Sequence, residues 1–144
     1  MTSLVLLAAS VVSFGNTATP QQALTAAHQQ AGFQLYVPDS AAIGYKLTEV
    51  EVATISGRKV VHIKFVNAKA MNSFDLLEAS SQDSSAPDSD LRAILSANVF
   101  PVSAAEGDIL VSIKKGKTDV MMVGSLMSAP SAKKMLERST IVKS

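Results

Sequence analysis

Residues 45–66 read YKLTEVEVATISGRKVVHIKFV, and this stretch decides the fold. Apolar and polar residues alternate with period two on both sides of Gly57, which is the pattern of two antiparallel strands joined by a tight turn. The alternation shifts by one residue near Thr48 and Glu49, and such a shift is what a β-bulge produces. We therefore predict a β-hairpin with a bulge in its first strand.

Further alternating segments follow this hairpin toward the C-terminus. Residues 73–80 extend it to a three-stranded antiparallel meander. Three later strands are predicted at residues 98–103, 109–114 and 118–126, with a turn at Gly116 between the last two. The last strand is apolar on both faces, which indicates a central strand that is covered on both sides.

A helix is predicted near each end of the chain. Residues 20–31 place alanine and leucine at helical spacing between Thr19, a good N-cap, and Gly32, a good terminator. A last helix is predicted after Ser128, with Pro130 in its first turn. The predicted class is α+β: an antiparallel sheet, flat or curved, of about six strands in two meander or hairpin groups, with an N-terminal and a C-terminal helix packed on it.

The N-terminal stretch is apolar and uncharged. No Asp, Glu, Lys or Arg precedes Asp39, and residues 4–14 read LVLLAASVVSF. Eleven helical residues span about 16 Å, too short to cross a bilayer but suited to the apolar core of a signal peptide. We expect residues 1–18 to be signal-peptide-like or a membrane-anchor remnant that tethers the protein, and residues 19–144 to form a single extracytoplasmic domain. A buried N-terminal strand or helix is the alternative.

Composition excludes several classes of protein. The chain has 144 residues, 13 Lys and Arg against 12 Asp and Glu, and no cysteine. Such a length is typical of one domain. Near-zero net charge argues against a nucleic-acid partner, because binding to phosphates requires concentrated positive charge. The absence of cysteine removes thiol catalysis, thiolate metal sites and disulfides.

Three segments, in this order, carry a resemblance to a known family: residues 31–52 (AGFQLYVPDSAAIGYKLTEVEV), 60–82 (VVHIKFVNAKAMNSFDLLEASSQ) and 107–144 (GDILVSIKKGKTDVMMVGSLMSAPSAKKMLERSTIVKS). They resemble a bacterial extracytoplasmic domain of unknown function found in anti-sigma-factor-like and sporulation or envelope proteins. A looser similarity links them to lipoprotein-carrier folds. The resemblance implies a periplasmic, secreted or membrane-anchored location and a sensing or scaffolding role.

Residues able to hold a metal ion are sparse in the sequence. The only two histidines, His28 and His62, have no acidic partner at ligand spacing, so we expect both to be exposed or half-exposed surface imidazoles. Asp83, Asp88 and Asp90 lack the ordered spacing of a calcium loop and are predicted to be a solvated loop with a helix cap. We therefore predict no metal and no cofactor.

Catalytic motifs are equally sparse. Ser125 follows a glycine but lacks the surroundings of a nucleophile elbow. Glu49 and Glu51 lie on one strand face about 7 Å apart, and such a pair is more often a solvated face than a catalytic pair. We predict no catalytic residue and no enzyme.

Two groups of residues are candidates for contact with a partner or ligand. Lys114, Lys115 and Lys117 form a basic hairpin tip that can touch anionic lipid or an acidic patch, although protection of a strand edge is the favoured explanation. Four methionines are predicted as an adaptable apolar wall, with core filling as the simpler alternative: Met121, Met122, Met127 and Met135.

These observations lead to one functional expectation with an alternative. We expect a non-catalytic binding or sensing domain of a bacterial envelope protein that contacts a protein partner. The alternative is a carrier of a hydrophobic ligand, lipid or acyl chain, walled by the methionines.

Overall fold

The structure is a computed structural model that describes residues 9–13, 19–38, 44–55, 58–67, 69, 72–80, 109–124 and 129–142. Its elements in chain order are β1 (Ala9–Ser13), α1 (Pro20–Ala31), β2 (Tyr36–Val37), β3 (Lys46–Ile55), β4 (Arg58–Asn67), β5 (Asn72–Ser80), β6 (Ile109–Lys115), β7 (Thr118–Gly124), α2 (Ala129–Glu137) and β8 (Thr140–Ile141). The predicted strand at 98–103, Ser128 and Met127 lie outside the described residues.

Six strands form one antiparallel sheet in the order β1-β3-β4-β5-β7-β6, and β2 pairs with β8 in a second, two-stranded sheet. The predicted meander is confirmed as β3, β4 and β5, and the predicted hairpin as β6 and β7. The pairing of β5 with β7 joins the two groups. The register of β3 shifts between Leu47 and Glu49, where the sequence predicts the bulge.

The coarse prediction of an antiparallel sheet with two helices is confirmed, but the placement of the elements differs. Neither helix is a terminal element, because β1 precedes α1 and β8 follows α2. Residues 9–13, which belong to the segment expected to resemble a signal peptide, form the edge strand β1 and pair with β3. Removal of residues 1–18 from a mature protein stays a prediction.

Helix α1 begins and ends where its sequence predicts. The Thr19 hydroxyl accepts a hydrogen bond from the backbone N–H of Gln22, and the Gln22 side chain accepts one from the backbone N–H of Thr19. This reciprocal capping box satisfies donors that the first helical turn leaves without partners. Gly32 ends the helix with φ of 80°, a conformation that glycine adopts without strain.

The sheet is packed on both faces. Both helices contribute buried residues to a cluster on one face, where Phe65 and Phe74 stack with ring centroids 4.9 Å apart. The strands contribute Leu47, Val50, Val52, Val61, Ile63, Phe65, Phe74, Leu76, Val120 and Met122 to this first cluster. A second cluster on the opposite face contains Ala53, Ile55, Val60, Leu77, Ala79, Met121 and Val123. Strand β7 is therefore buried on both faces, as predicted.

The turn between β6 and β7 requires glycine for two reasons. Gly116 has φ of 60°, and a Cβ atom there would lie 2.8 Å from the Tyr36 hydroxyl oxygen. We expect Gly116→Ala to lower the free energy of unfolding by about 2 kcal/mol or more, from left-handed strain together with this clash. Gly32→Ala is the matched control, because φ is 80° there and no atom lies within 4 Å of the added Cβ. Urea titration measures the free energy of unfolding of both variants. If the two variants lose equal amounts, the close approach of the added Cβ to Tyr36 does not destabilise the fold.

Candidate functional site

Three ionisable side chains form a row across the middle of the sheet. His62 on β4 is fully buried, and its ring lies between carboxylates from the strands on either side. Its Nδ1 lies 2.7 Å from Oε1 of Glu51 on β3, and its Nε2 lies 2.5 Å from Oδ2 of Asp75 on β5. The side chains of Glu51 and Asp75 are 16% and 7% exposed, so the row reaches solvent mainly at Glu51.

Strand register produces this row. Glu51 lies directly opposite His62 in the β3–β4 pair, so their side chains share one face of the sheet. Asp75 lies opposite Lys64 in the β4–β5 pair, which puts it diagonal to His62 on the same face. These positions lie beside the second apolar cluster, where water cannot replace the hydrogen bonds.

The row favours a protonated imidazole. Burial on its own would lower the pKa of His62, but the hydrogen bonds and negative charges of Asp75 and Glu51 outweigh burial and raise the pKa above its ordinary value of 6.5. Both ring nitrogens face carboxylate oxygens, so the imidazolium donates to both while the neutral ring can donate to only one. The Glu51–His62–Asp75 row is therefore a hydrogen-bond network that stabilises the imidazolium form of His62.

The prediction that His62 is a surface imidazole is wrong. The sequence contains the signal for its first partner, because a hairpin that pairs Ile55 with Arg58 puts Glu51 opposite His62. Asp75 could not be assigned in the same way, since its position depends on the length of the β4–β5 connection. The two carboxylates bind opposite edges of the ring, so they cannot converge on one ion. In the described ranges, no three His, Asp or Glu side chains form a metal site.

A second buried carboxyl group lies on the opposite face of the sheet. Glu78 on β5 is fully buried; its Oε1 accepts a hydrogen bond from the backbone N–H of Tyr36 at 2.8 Å, and its Oε2 has no hydrogen-bond partner. Burial raises the pKa of Glu78 to about 8, although the bond from Tyr36 opposes this. Glu78 is therefore mostly a neutral acid at pH 7, and it ties β2 to the main sheet.

An apolar groove runs beside the first turn of α1. It has a volume of about 540 Å³, and its walls come from α1, β2, β8 and the neighbouring ends of β3 and β4. The lining residues are Thr19, Pro20, Gln21, Leu24, Val37, Pro38, Leu47, Phe65 and Thr140. A smaller depression of about 300 Å³ continues it past Ile141, which is 53% exposed. We name this combined surface the α1–β8 groove.

The predicted methionine wall is not assembled as one surface. Met121 and Met122 are both fully buried but point to opposite faces of β7, Met121 into the second cluster and Met122 into the first. Met135 packs against the first cluster, and Met127 lies outside the described residues. Core filling therefore describes the placed methionines, and none of them lines the α1–β8 groove.

The three predicted contact lysines have different surroundings. Lys114 and Lys117 are exposed, but Lys115 points back to the protein. Its Nζ donates to the carbonyl oxygens of Leu136 and Glu137, at 3.4 and 2.5 Å, and lies 5.6 Å from the centroid of the Tyr36 ring. Lys115 therefore attaches the β6–β7 hairpin to the C-terminus of α2, where backbone carbonyls favour a cation.

This placement of Lys115 predicts a stability difference within the hairpin. We expect Lys115→Ala to lower the free energy of unfolding by about 1–2 kcal/mol, because two helix-end carbonyls lose a charged donor. Lys117→Ala, which removes an exposed lysine two residues away, should change it by less than about 0.5 kcal/mol. Urea titration of both variants measures the difference, and equal values would contradict the role given to Lys115.

Comparisons with protein-family models, with curated proteins and with solved structures found no match to this chain. The resemblance to an extracytoplasmic family therefore stays a prediction. None of the helices in the described part of the chain has the length and apolar character needed to span a membrane.

Proposed function

We propose that this protein is a non-catalytic, extracytoplasmic binding module of the bacterial envelope, and that its α1–β8 groove binds an extended segment of a partner protein. The observation that carries the proposal is the groove itself, an apolar trough of about 540 Å³ in a domain whose sheet is otherwise packed on both faces. Half-exposed Val37 and the buried side chains of Leu24 and Phe65 give it apolar walls, and concave sites with apolar walls and a few polar groups are typical of binding sites.

The backbone hydrogen bonds beside the groove favour a partner segment in an extended conformation. The N–H of Val142 donates to the carbonyl of Leu35 at 2.9 Å, and the N–H of Tyr36 donates to Glu78 on its other side. Because hydrogen-bond direction alternates along a strand, the N–H and C=O of Ile141 point away from β2. A partner strand can pair with Ile141 there and place alternate side chains in the groove.

The chemistry of the buried row supports a non-catalytic role. A general base needs a ring nitrogen that can reach a proton on the substrate. Both nitrogens of His62 are within 2.7 Å of carboxylate oxygens, and the ring is fully buried. Glu78 is also enclosed. Both groups are suited to holding the sheet together.

The volume of the groove also fits the alternative, a hydrophobic ligand, since small-molecule sites usually occupy about 300–1,000 Å³. However, Thr19, Gln21 and Thr140 place polar groups along its walls, and Ile141 is half-exposed at its end. A polar rim around an apolar floor suits a peptide, whose backbone needs hydrogen-bond partners, better than an acyl chain.

Photo-crosslinking in the host cell tests the proposal. A photoreactive amino acid replaces Ile141 in one variant and Gln30, an exposed residue at the other end of α1, in the control. We expect a discrete protein adduct from position 141 that is absent from position 30, and we expect Val37→Asp to abolish it. An adduct with lipid alone supports the carrier, and no adduct, or the same adducts from both positions, contradicts the proposal.

A further inference from the structure

Positive charge is concentrated near the C-terminus. Residues 109–144 contain seven of the thirteen Lys and Arg residues but only two of the twelve acidic residues. Of these two, Asp119 is buried, so Glu137 is the one exposed acid in the described part of this stretch. The exposed cations there are Lys114, Lys117, Lys133, Lys134 and Arg138, which we name the basic corner.

Lys115 brings the members of the basic corner together. Its bonds to the carbonyls of Leu136 and Glu137 hold the hairpin tip against the C-terminus of α2. The three helix-end cations lie within about one helical turn of Glu137. Protection of a strand edge explains a lysine on β6, the last strand of the sheet, but it does not explain cations on a helix.

Arg138 connects the basic corner to the α1–β8 groove along the chain. It is two residues before Thr140, which lines the groove, and two residues of chain span at most about 7 Å. A partner segment that lies along β8 therefore contacts the apolar walls of the groove on one side and has the cations of the basic corner near one of its ends.

We infer that the partner segment bound in the α1–β8 groove carries acidic side chains next to its apolar anchor, and that the basic corner recognises them. This inference rests on the proposed function and adds the chemistry of the partner. Charges placed at the rim of a site act mainly on association rate and on choice of partner, and they are screened by salt.

Selection of displayed peptides tests the inference without a known partner. The full-length protein is the target for a library of random twelve-residue peptides, in buffers of low and of high salt. We expect the selected peptides to combine apolar residues with Asp or Glu, and to bind more weakly as salt rises. For the best of them, Arg138→Glu should weaken binding about five- to tenfold, and Lys134→Glu should act in the same direction. Lys59→Glu, the same charge change at the far end of β4, should alter binding less than twofold.

The outcomes separate this inference from the proposed function. If the selected peptides are neutral or basic and Val37→Asp abolishes their binding, the inference is overturned and the groove remains the binding site. Failure to select any peptide, or binding that Val37→Asp leaves unchanged, contradicts both. A third outcome is that no acidic peptide is selected, while the wild type and Val37→Asp bind phosphatidylglycerol vesicles equally. This outcome would assign the basic corner to a lipid surface and overturn the inference. Thermal unfolding of each variant confirms that it is folded.

Discussion

Replacing Glu78 with glutamine should flatten the fall in stability that the wild type shows between about pH 4.5 and pH 8. The fold raises the pKa of Glu78 from 4.5 to about 8, so the folded state holds this proton more tightly than the unfolded state does. Its contribution to stability is therefore complete below pH 4.5 and is lost as pH rises to about 8. At about 1.4 kcal/mol per pKa unit, the loss is on the order of 5 kcal/mol.

Urea titrations at several pH values measure this effect as a difference between wild type and Glu78→Gln. Glutamine keeps an oxygen that can accept the hydrogen bond from Tyr36 but cannot ionise, so its packing cost is independent of pH. Glu137→Gln, at an exposed position, is the control and should follow the wild-type curve within about 0.5 kcal/mol. Parallel curves for wild type and Glu78→Gln would mean that Glu78 is ionised at neutral pH in the folded protein.

Replacing His62 with leucine should destabilise the fold by about 3–5 kcal/mol at pH 6. The change leaves Glu51 and Asp75 as neighbouring, largely buried carboxylates without the cation between them. The fold raises the pKa of His62, so the contribution of its proton is complete below pH 6.5 and falls as pH rises through the higher folded value. The difference between wild type and variant should therefore shrink at alkaline pH.

A second substitution tests whether the row acts as a unit. Adding Asp75→Leu to His62→Leu removes one of the stranded carboxylates and should recover part of the lost stability, a coupling that a double-mutant cycle measures. His28→Leu, at a half-buried position on α1, is the control and should cost less than about 1 kcal/mol. Equal costs for His62→Leu and His28→Leu would be inconsistent with a charged network at His62.

Local signals in the sequence predict the elements of the fold well. The N-cap at Thr19, the bulge after Leu47 and the glycine turn at Gly116 each depend on a few neighbouring residues, and each lies where predicted. The pairing of β2 with β8 could not be predicted, because each strand has only two residues and they are about a hundred positions apart. Nor could the place of β1, whose apolar residues fit a signal peptide equally well.

The candidate sites are harder to predict from the sequence than the helices and strands. Period-two alternation identifies the strand face that carries His62 but does not show whether that face is covered. The sequence therefore predicts a solvated face there, and the structure has a buried one. Glu78 lies on the same strand face as the buried Phe74 and Leu76, but alternation alone does not show whether a carboxyl group there is enclosed. The α1–β8 groove is built from five separate parts of the chain, and only the packed fold brings Leu24, Phe65 and Ile141 together.

Strand β2 connects Glu78 with the α1–β8 groove. Glu78 holds the backbone of Tyr36, and the next residue, Val37, is part of the groove wall. Binding measurements should be made below pH 7, where both His62 and Glu78 favour the folded state.

Hydrogen exchange of the complex tests the central claim most directly. The partner segment identified by crosslinking at position 141, or the best selected peptide, is added to the full-length protein, and exchange of backbone amides is compared with that of the free protein. We predict slower exchange at Ile141 and in the first turn of α1, with no change at Glu51, His62 and Asp75. Protection confined to that buried row, with none at β8, would contradict a binding site in the α1–β8 groove.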